Sequence, residues 1–103
     1  MAELVKVGTL GDFESGVLHD CDVRGAKVLV TKANGKIYAV SNSCTHIGFP
    51  LSPGYTSGSS VVCIFHASVY DMETGEATAG PGGDPLTVYK VQIQGEDVFV
   101  EVD

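Results

Sequence analysis

Two short segments constrain this chain more than any others: Cys44-Thr45-His46 and Cys63-Ile64-Phe65-His66, separated by 16 residues. Each offers one thiolate and one imidazole, the donors preferred by zinc and by iron–sulfur centres. Both directly follow apolar runs that read as strands, one ending near Ser41 and one at Val61-Val62, so both sit on loops. Loops can converge on one centre only if the backbone between them turns sharply, and Gly48, Gly54 and Gly58 supply that freedom. The donor set suits a tetrahedral zinc ion, or a [2Fe–2S] cluster with both Cys on one iron and both His on the other. The zinc-finger pattern fits poorly. It keeps Cys with Cys and His with His on a turn and a helix, whereas here each loop mixes the two.

The remainder of the chain reads as short strands between turns. Lys27–Lys32 and Lys36–Val40 flank Ala33-Asn34-Gly35, and Asn-Gly provides the two positive φ angles of a type I′ hairpin turn. Val61-Val62-Cys63, Ser68–Asp71, Leu86–Gln94 and Asp97–Val102 are β-branched or alternating, with Leu4–Val7 and Gly16–Leu18 as weaker candidates, giving about eight to ten strands. Turns are expected at Met72-Glu73-Thr74-Gly75 and Gln94-Gly95-Glu96. Apolar spacing never sustains a long helix, and Thr9–Phe13 allows one short turn at most. The expected fold is all-β: an antiparallel sandwich or barrel base carrying a small inserted lobe. At 103 residues it is a single domain, with the lobe at about 43–83 and the base at 1–42 plus 84–103. The lobe is rich in Gly, Ser and Pro, and calls for something besides a large core to hold it.

Charge narrows the partners. Thirteen acidic against six basic residues give a net charge of -7, with Asp71, Glu73, Glu76 and Asp84 grouped after the second Cys/His pair. A nucleic-acid binder needs a basic face to displace counterions, so nucleic acid is excluded, while a basic redox partner would be attracted. No run is long and apolar enough to span a membrane. MAELVKVGTLGDF carries no export signal, and an odd count of three cysteines does not form a disulfide framework; both point to a reducing, cytoplasmic location. His19 and Cys21 read as half-buried strand positions.

In its ligand spacing, in the Ser68-Val69-Tyr70-Asp71 and Gly75 that follow, and in a Gly80-Pro81-Gly82-Gly83 stretch, the chain resembles the Rieske iron–sulfur family. The resemblance implies a Rieske-type [2Fe–2S] cluster held by Cys44, His46, Cys63 and His66, with the proline-containing stretch as a third loop over it. The mixed ligand set has an electrostatic consequence. Four thiolates leave an oxidised cluster doubly negative, whereas two thiolates and two neutral imidazoles leave it uncharged, so an electron is added more easily. Rieske potentials accordingly span about -150 to +300 mV, against about -400 mV for all-Cys plant-type clusters.

The resemblance also gives conflicting indications within that range. High-potential members bridge the two loops by a disulfide at positions that here are Phe49 and Phe65. They also carry a Ser and a Tyr that donate hydrogen bonds to the cluster, and Ser68 and Tyr70 match these as cofactor-binding residues. Ala67 stands where Gly is usual. An intermediate potential is expected. Phe49, Pro50, Leu51, Ile64 and Phe65 serve either as lobe packing or as an apolar docking rim. With every iron position filled by protein and no second cofactor motif, the chain is expected to be no enzyme. It resembles soluble Rieske ferredoxins, monomeric electron carriers between a reductase and a terminal enzyme such as an oxygenase. Its alternatives are a Rieske subunit bound to a larger oxidoreductase and a structural zinc module.

Overall fold

The computed structural model describes residues 3–42, 51, 54–63, 68–79 and 85–102. Eleven strands occur among them, in three antiparallel sheets, with one 3₁₀ turn at Leu10–Asp12. β1 (Glu3–Thr9), β11 (Asp97–Val102) and β10 (Val91–Gln94) form the first sheet, in that order. The second runs β2 (Leu18–Val23), β3 (Ala26–Ala33), β4 (Lys36–Ser41), β9 (Val88–Tyr89). The third is a meander of β5 (Tyr55–Ser57), β6 (Ser60–Val62), β7 (Val69–Asp71) and β8 (Ala77–Ala79).

The second sheet is the middle layer, and alternation along its strands shows why. Leu29, Tyr38 and Val40 join a core with Leu51, Val61, Tyr70 and Met72 of the third sheet's side. Val28, Val30 and Ala39, one residue out of phase, join Phe13, Val98, Val100 and Val102 on the other face. Successive side chains of a strand point to opposite faces. The near-continuous apolar run Val28-Leu29-Val30 is therefore buried on both sides, and all three residues are fully buried. Each such side chain contributes roughly 1.5–3 kcal/mol of burial free energy.

The β3–β4 hairpin forms as expected, with Ala33 opposite Lys36 and φ of 52° and 77° at Asn34 and Gly35. A second turn of the same kind, Arg24-Gly25 with φ of 54° and 86°, joins β2 to β3. Nothing in Arg-Gly signals it as clearly, and the strand expected at Gly16–Leu18 lies instead at Leu18–Val23, sharing only Leu18 with that segment. His19 and Cys21 lie on β2 and are partly buried, as expected. Burial, then the neighbouring Asp20, raises the Cys21 thiol above its ordinary pKa. The predicted strand Leu86–Gln94 divides at Lys90. Val88 and Tyr89 pair with β4, Val91–Gln94 pair with β11, and one chain segment thereby closes two sheets into the base. β5 and β8, three residues each, are too short and polar to read from sequence.

Among the described residues, three polar contacts tie the outer meander to the base. The Tyr38 hydroxyl on β4 donates to Glu73 Oε1 at 2.9 Å, in the turn after β7, and Lys36 Nζ lies 3.6 Å from the same oxygen. Leu86 N–H donates to the Gly75 carbonyl at 2.7 Å. Gly75 sits at φ +83°, and a Cβ there would fall 2.3 Å from the Leu86 carbonyl oxygen, so both conformation and space demand glycine.

Gly75→Ala should cost at least about 2 kcal/mol in urea unfolding, the left-handed strain adding to the overpacking. Gly25→Ala, at similar φ but facing open space, should cost about 1 kcal/mol. Equal costs would show that the Leu86 contact does not matter. Tyr38 makes a second test. Burial, then the bond to Glu73, holds its pKa above the ordinary value, so the folded state grips this proton more tightly than the unfolded chain. That contribution is intact below the unfolded tyrosine value of about 10 and is lost as pH rises through the folded value. Tyr38→Phe should cost about 0.5–1.5 kcal/mol at neutral pH and flatten the alkaline loss of stability. Unchanged denaturation curves at both pH values would contradict this.

Candidate metal centre

Of the four expected ligands, Cys63 lies among the described residues; Cys44, His46 and His66 lie outside them, as do Phe49, Pro50, Ile64, Phe65, Ala67, Asp84 and the Gly80–Gly83 stretch. Cys63 directly follows β6 and is fully buried in the core between the middle sheet and the meander, in one cluster with Leu51, Val61, Tyr70 and Met72. A thiolate in such surroundings is costly unless a cation compensates it. Among the described residues no group of three or more His, Cys, Asp or Glu gathers elsewhere into an alternative metal site.

Ser68 and Tyr70 are fully buried as well. They stand two residues apart in extended backbone, which places them on one face, and the Ser68 carbonyl accepts the Cys63 N–H at 2.8 Å. That bond closes the base of the second ligand loop. The first loop is closed differently: Asn42, just past β4, accepts the Leu51 N–H on Oδ1 at 2.7 Å, across residues 43–50. Both Asn42 and Leu51 are buried. The backbone at this point is held from both sides, because Ser41 N–H donates to the Thr87 carbonyl and Asn42 N–H to the Lys27 carbonyl, each at 2.9 Å.

The two closures touch. Gly54 N–H donates to the Leu51 carbonyl at 2.8 Å, and a Cβ on Gly54 would fall 2.0 Å from the Val62 carbonyl oxygen, immediately before Cys63. Gly54 was expected to serve bending; its observed role is to let two backbones meet. Gly58 does bend the chain, at φ +59° between β5 and β6. Sequence reasoning missed Asn42. The available signal was an amide side chain at the end of a strand, two residues ahead of a candidate ligand.

The acidic group partly dissolves into local structure. Asp71 Oδ1 accepts the Glu73 N–H at 2.8 Å, and Glu73 binds Tyr38 and Lys36. A cavity of about 600 Å³, lined among the described residues by Ile37, Tyr38, Met72, Glu73, Val88 and Ile93, opens toward the Lys36 end of β4. The donor chemistry and the buried Cys63 suit an iron–sulfur centre.

Known proteins place this arrangement. Residues 3–90 match the family described as Rieske [2Fe-2S] domain. The ferredoxin component of biphenyl 2,3-dioxygenase from Rhodococcus jostii (strain RHA1) is 30% identical over 100 residues, covering 97% of this chain and 94% of that protein. Human apoptosis-inducing factor 3 is 35% identical over 89 residues, 86% of this chain, yet the chain spans only about 15% of that protein's length. Among solved structures, the ferredoxin of carbazole 1,9a-dioxygenase from Nocardioides aromaticivorans IC177 superposes with a TM-score of 0.89 at 33% identity, over 94% of this chain and 95% of its own. On sequence and on architecture alike, this chain belongs to the Rieske [2Fe–2S] domain family.

Proposed function

We propose that the chain is a one-electron carrier, accepting an electron from a reductase and passing it to a terminal enzyme such as an oxygenase. The observation that carries this reading is the near full-length match to ferredoxin components of dioxygenases, joined to a Cys/His donor set whose described member is buried beside Ser68 and Tyr70. Cys44 and Cys63 would supply the thiolates, and His46 and His66 the imidazoles. When bound, the cluster supplies a one-electron redox couple. The protein supplies its surroundings: Leu51, Val61 and Met72 keep water from Cys63, and the buried Ser68 and Tyr70 would donate their hydroxyls to the centre and draw charge off it.

The carrier has no substrate site of its own in this reading. It works as a single cytoplasmic domain, a monomer with the ligand lobe at about 43–83 on a base of 1–42 plus 84–103. A second reading, a Rieske unit held within a larger redox assembly, is supported by the match to a protein of which this chain spans about 15%. The size of the complex purified from native cells separates the two.

Anaerobically purified protein should contain equal amounts of iron and acid-labile sulfide, and show on reduction a paramagnetic signal averaging below the free-electron g-value. Zinc, or iron without sulfide, overturns the proposal. The potential should lie between those of dioxygenase-type ferredoxins and respiratory Rieske proteins. Tyr70→Phe and Ser68→Ala should each lower it by about 60 mV, the one-electron equivalent of a lost hydrogen bond of about 1.4 kcal/mol. If voltammetry shows no shift in either, these hydroxyls are not donors to the cluster.

A further inference from the structure

We infer that Asn42 is a positioning residue for the metal centre: its side-chain carbonyl clamps the loop bearing Cys44 and His46, and fixes that loop relative to Cys63. The inference rests on the electron-carrier reading above. Its geometry is a continuous path from the rigid base to both ligand loops.

The path begins where β4 ends. Ser41 and Asn42 are bound through their backbone N–H groups to Thr87 and Lys27, so the Asn42 side chain projects from a backbone held by two neighbouring segments. Its Oδ1 takes the Leu51 N–H at 2.7 Å in a buried setting. The Leu51 carbonyl takes the Gly54 N–H at 2.8 Å, and Gly54 lies against the Val62 carbonyl so closely that no side chain fits between them. Val62 leads into Cys63, whose N–H closes on Ser68. A shift of Leu51 therefore moves one loop base against the other.

This matters because each loop contributes one sulfur and one nitrogen donor. Relative displacement of the loops would alter ligand geometry on both irons together, where displacement of a single side chain would alter one. The residue must accept a hydrogen bond nine positions along the chain while staying buried, which a short side chain ending in an acceptor oxygen does. Asn42→Ala leaves the buried Leu51 N–H without this acceptor. Asn42→Asp keeps an acceptor oxygen in the same place.

The test compares wild type, Asn42→Ala and Asn42→Asp, each purified with its cluster. Asn42→Ala should lose cluster absorbance to a chelator about tenfold faster, and its reduced-state paramagnetic spectrum should change in anisotropy. Asn42→Asp should keep the wild-type loss rate and anisotropy, with a lowered potential from the added charge. Wild-type behaviour of Asn42→Ala overturns the inference, as does an Asn42→Asp protein that fails like Asn42→Ala. A measurement free of variants stands beside these: the Leu51 amide of the wild-type protein should exchange with deuterium as slowly as amides inside β3 and β4, and rapid exchange excludes the clamp. Wild-type protein lacking iron and sulfide sinks the carrier reading, while the Leu51 amide still decides whether the clamp exists.

Discussion

The antiparallel ladder between β3 and β4 is the constraint on which the other elements rest, since it is covered on both faces. Its six paired positions, from Val28 with Ser41 to Ala33 with Lys36, set the phase of the alternation. A slip of one residue would exchange Leu29 with Val28 and Val30 and disrupt both cores at once. The two-residue Asn34-Gly35 turn fixes the register against that slip. From this ladder the chain runs directly into Asn42, so the position of the first ligand loop is inherited from the best-determined pairing in the molecule.

The segment leading to the first expected ligand pair thus continues from a sheet packed on both faces. The first loop starts at the end of the middle sheet, the second at the end of β6 in the outer meander, and the two sheets share one core containing Leu51, Cys63 and Tyr70. Only the meander is small. Its strands are three residues long, and its attachments through Glu73, Gly75 and Gly54 do what a larger core would otherwise do.

Much of this was legible in the residues. The hairpin at Asn34-Gly35 follows from turn chemistry, whereas the double burial of Val28-Leu29-Val30 shows only once a core is seen on each face of the middle sheet. Donor type and spacing singled out Cys63, which the structure buries in the core, while Cys44, His46 and His66 lie outside the described residues. Other features depend on contacts far apart in the chain. Lys90 divides one alternating run between two sheets because its neighbours find partners in β4 on one side and β11 on the other, and no local signal distinguishes the two. Gly54 reads as a bending point and Gly75 as the end of a turn, whereas each is a place where two backbones meet. Asn42 reads as an ordinary polar residue after a strand until Leu51 is seen to face it. Pairings across the chain, more than residue types, carried the missing information.

The seam between Ser41 and Thr87 has a consequence of its own. Ser41 N–H bonds the Thr87 carbonyl at 2.9 Å and Thr87 N–H returns to Ser41 Oγ at 3.2 Å, so the chain leaves and re-enters the base at a single point. This double-stitched doorway stands beside the ties of Glu73 to Tyr38 and Lys36 and the core the two sheets share. Length added or removed between these two residues leaves the pairing of the platform underneath as it is, while a change at Ser41 or Thr87 is felt on both sides of the seam.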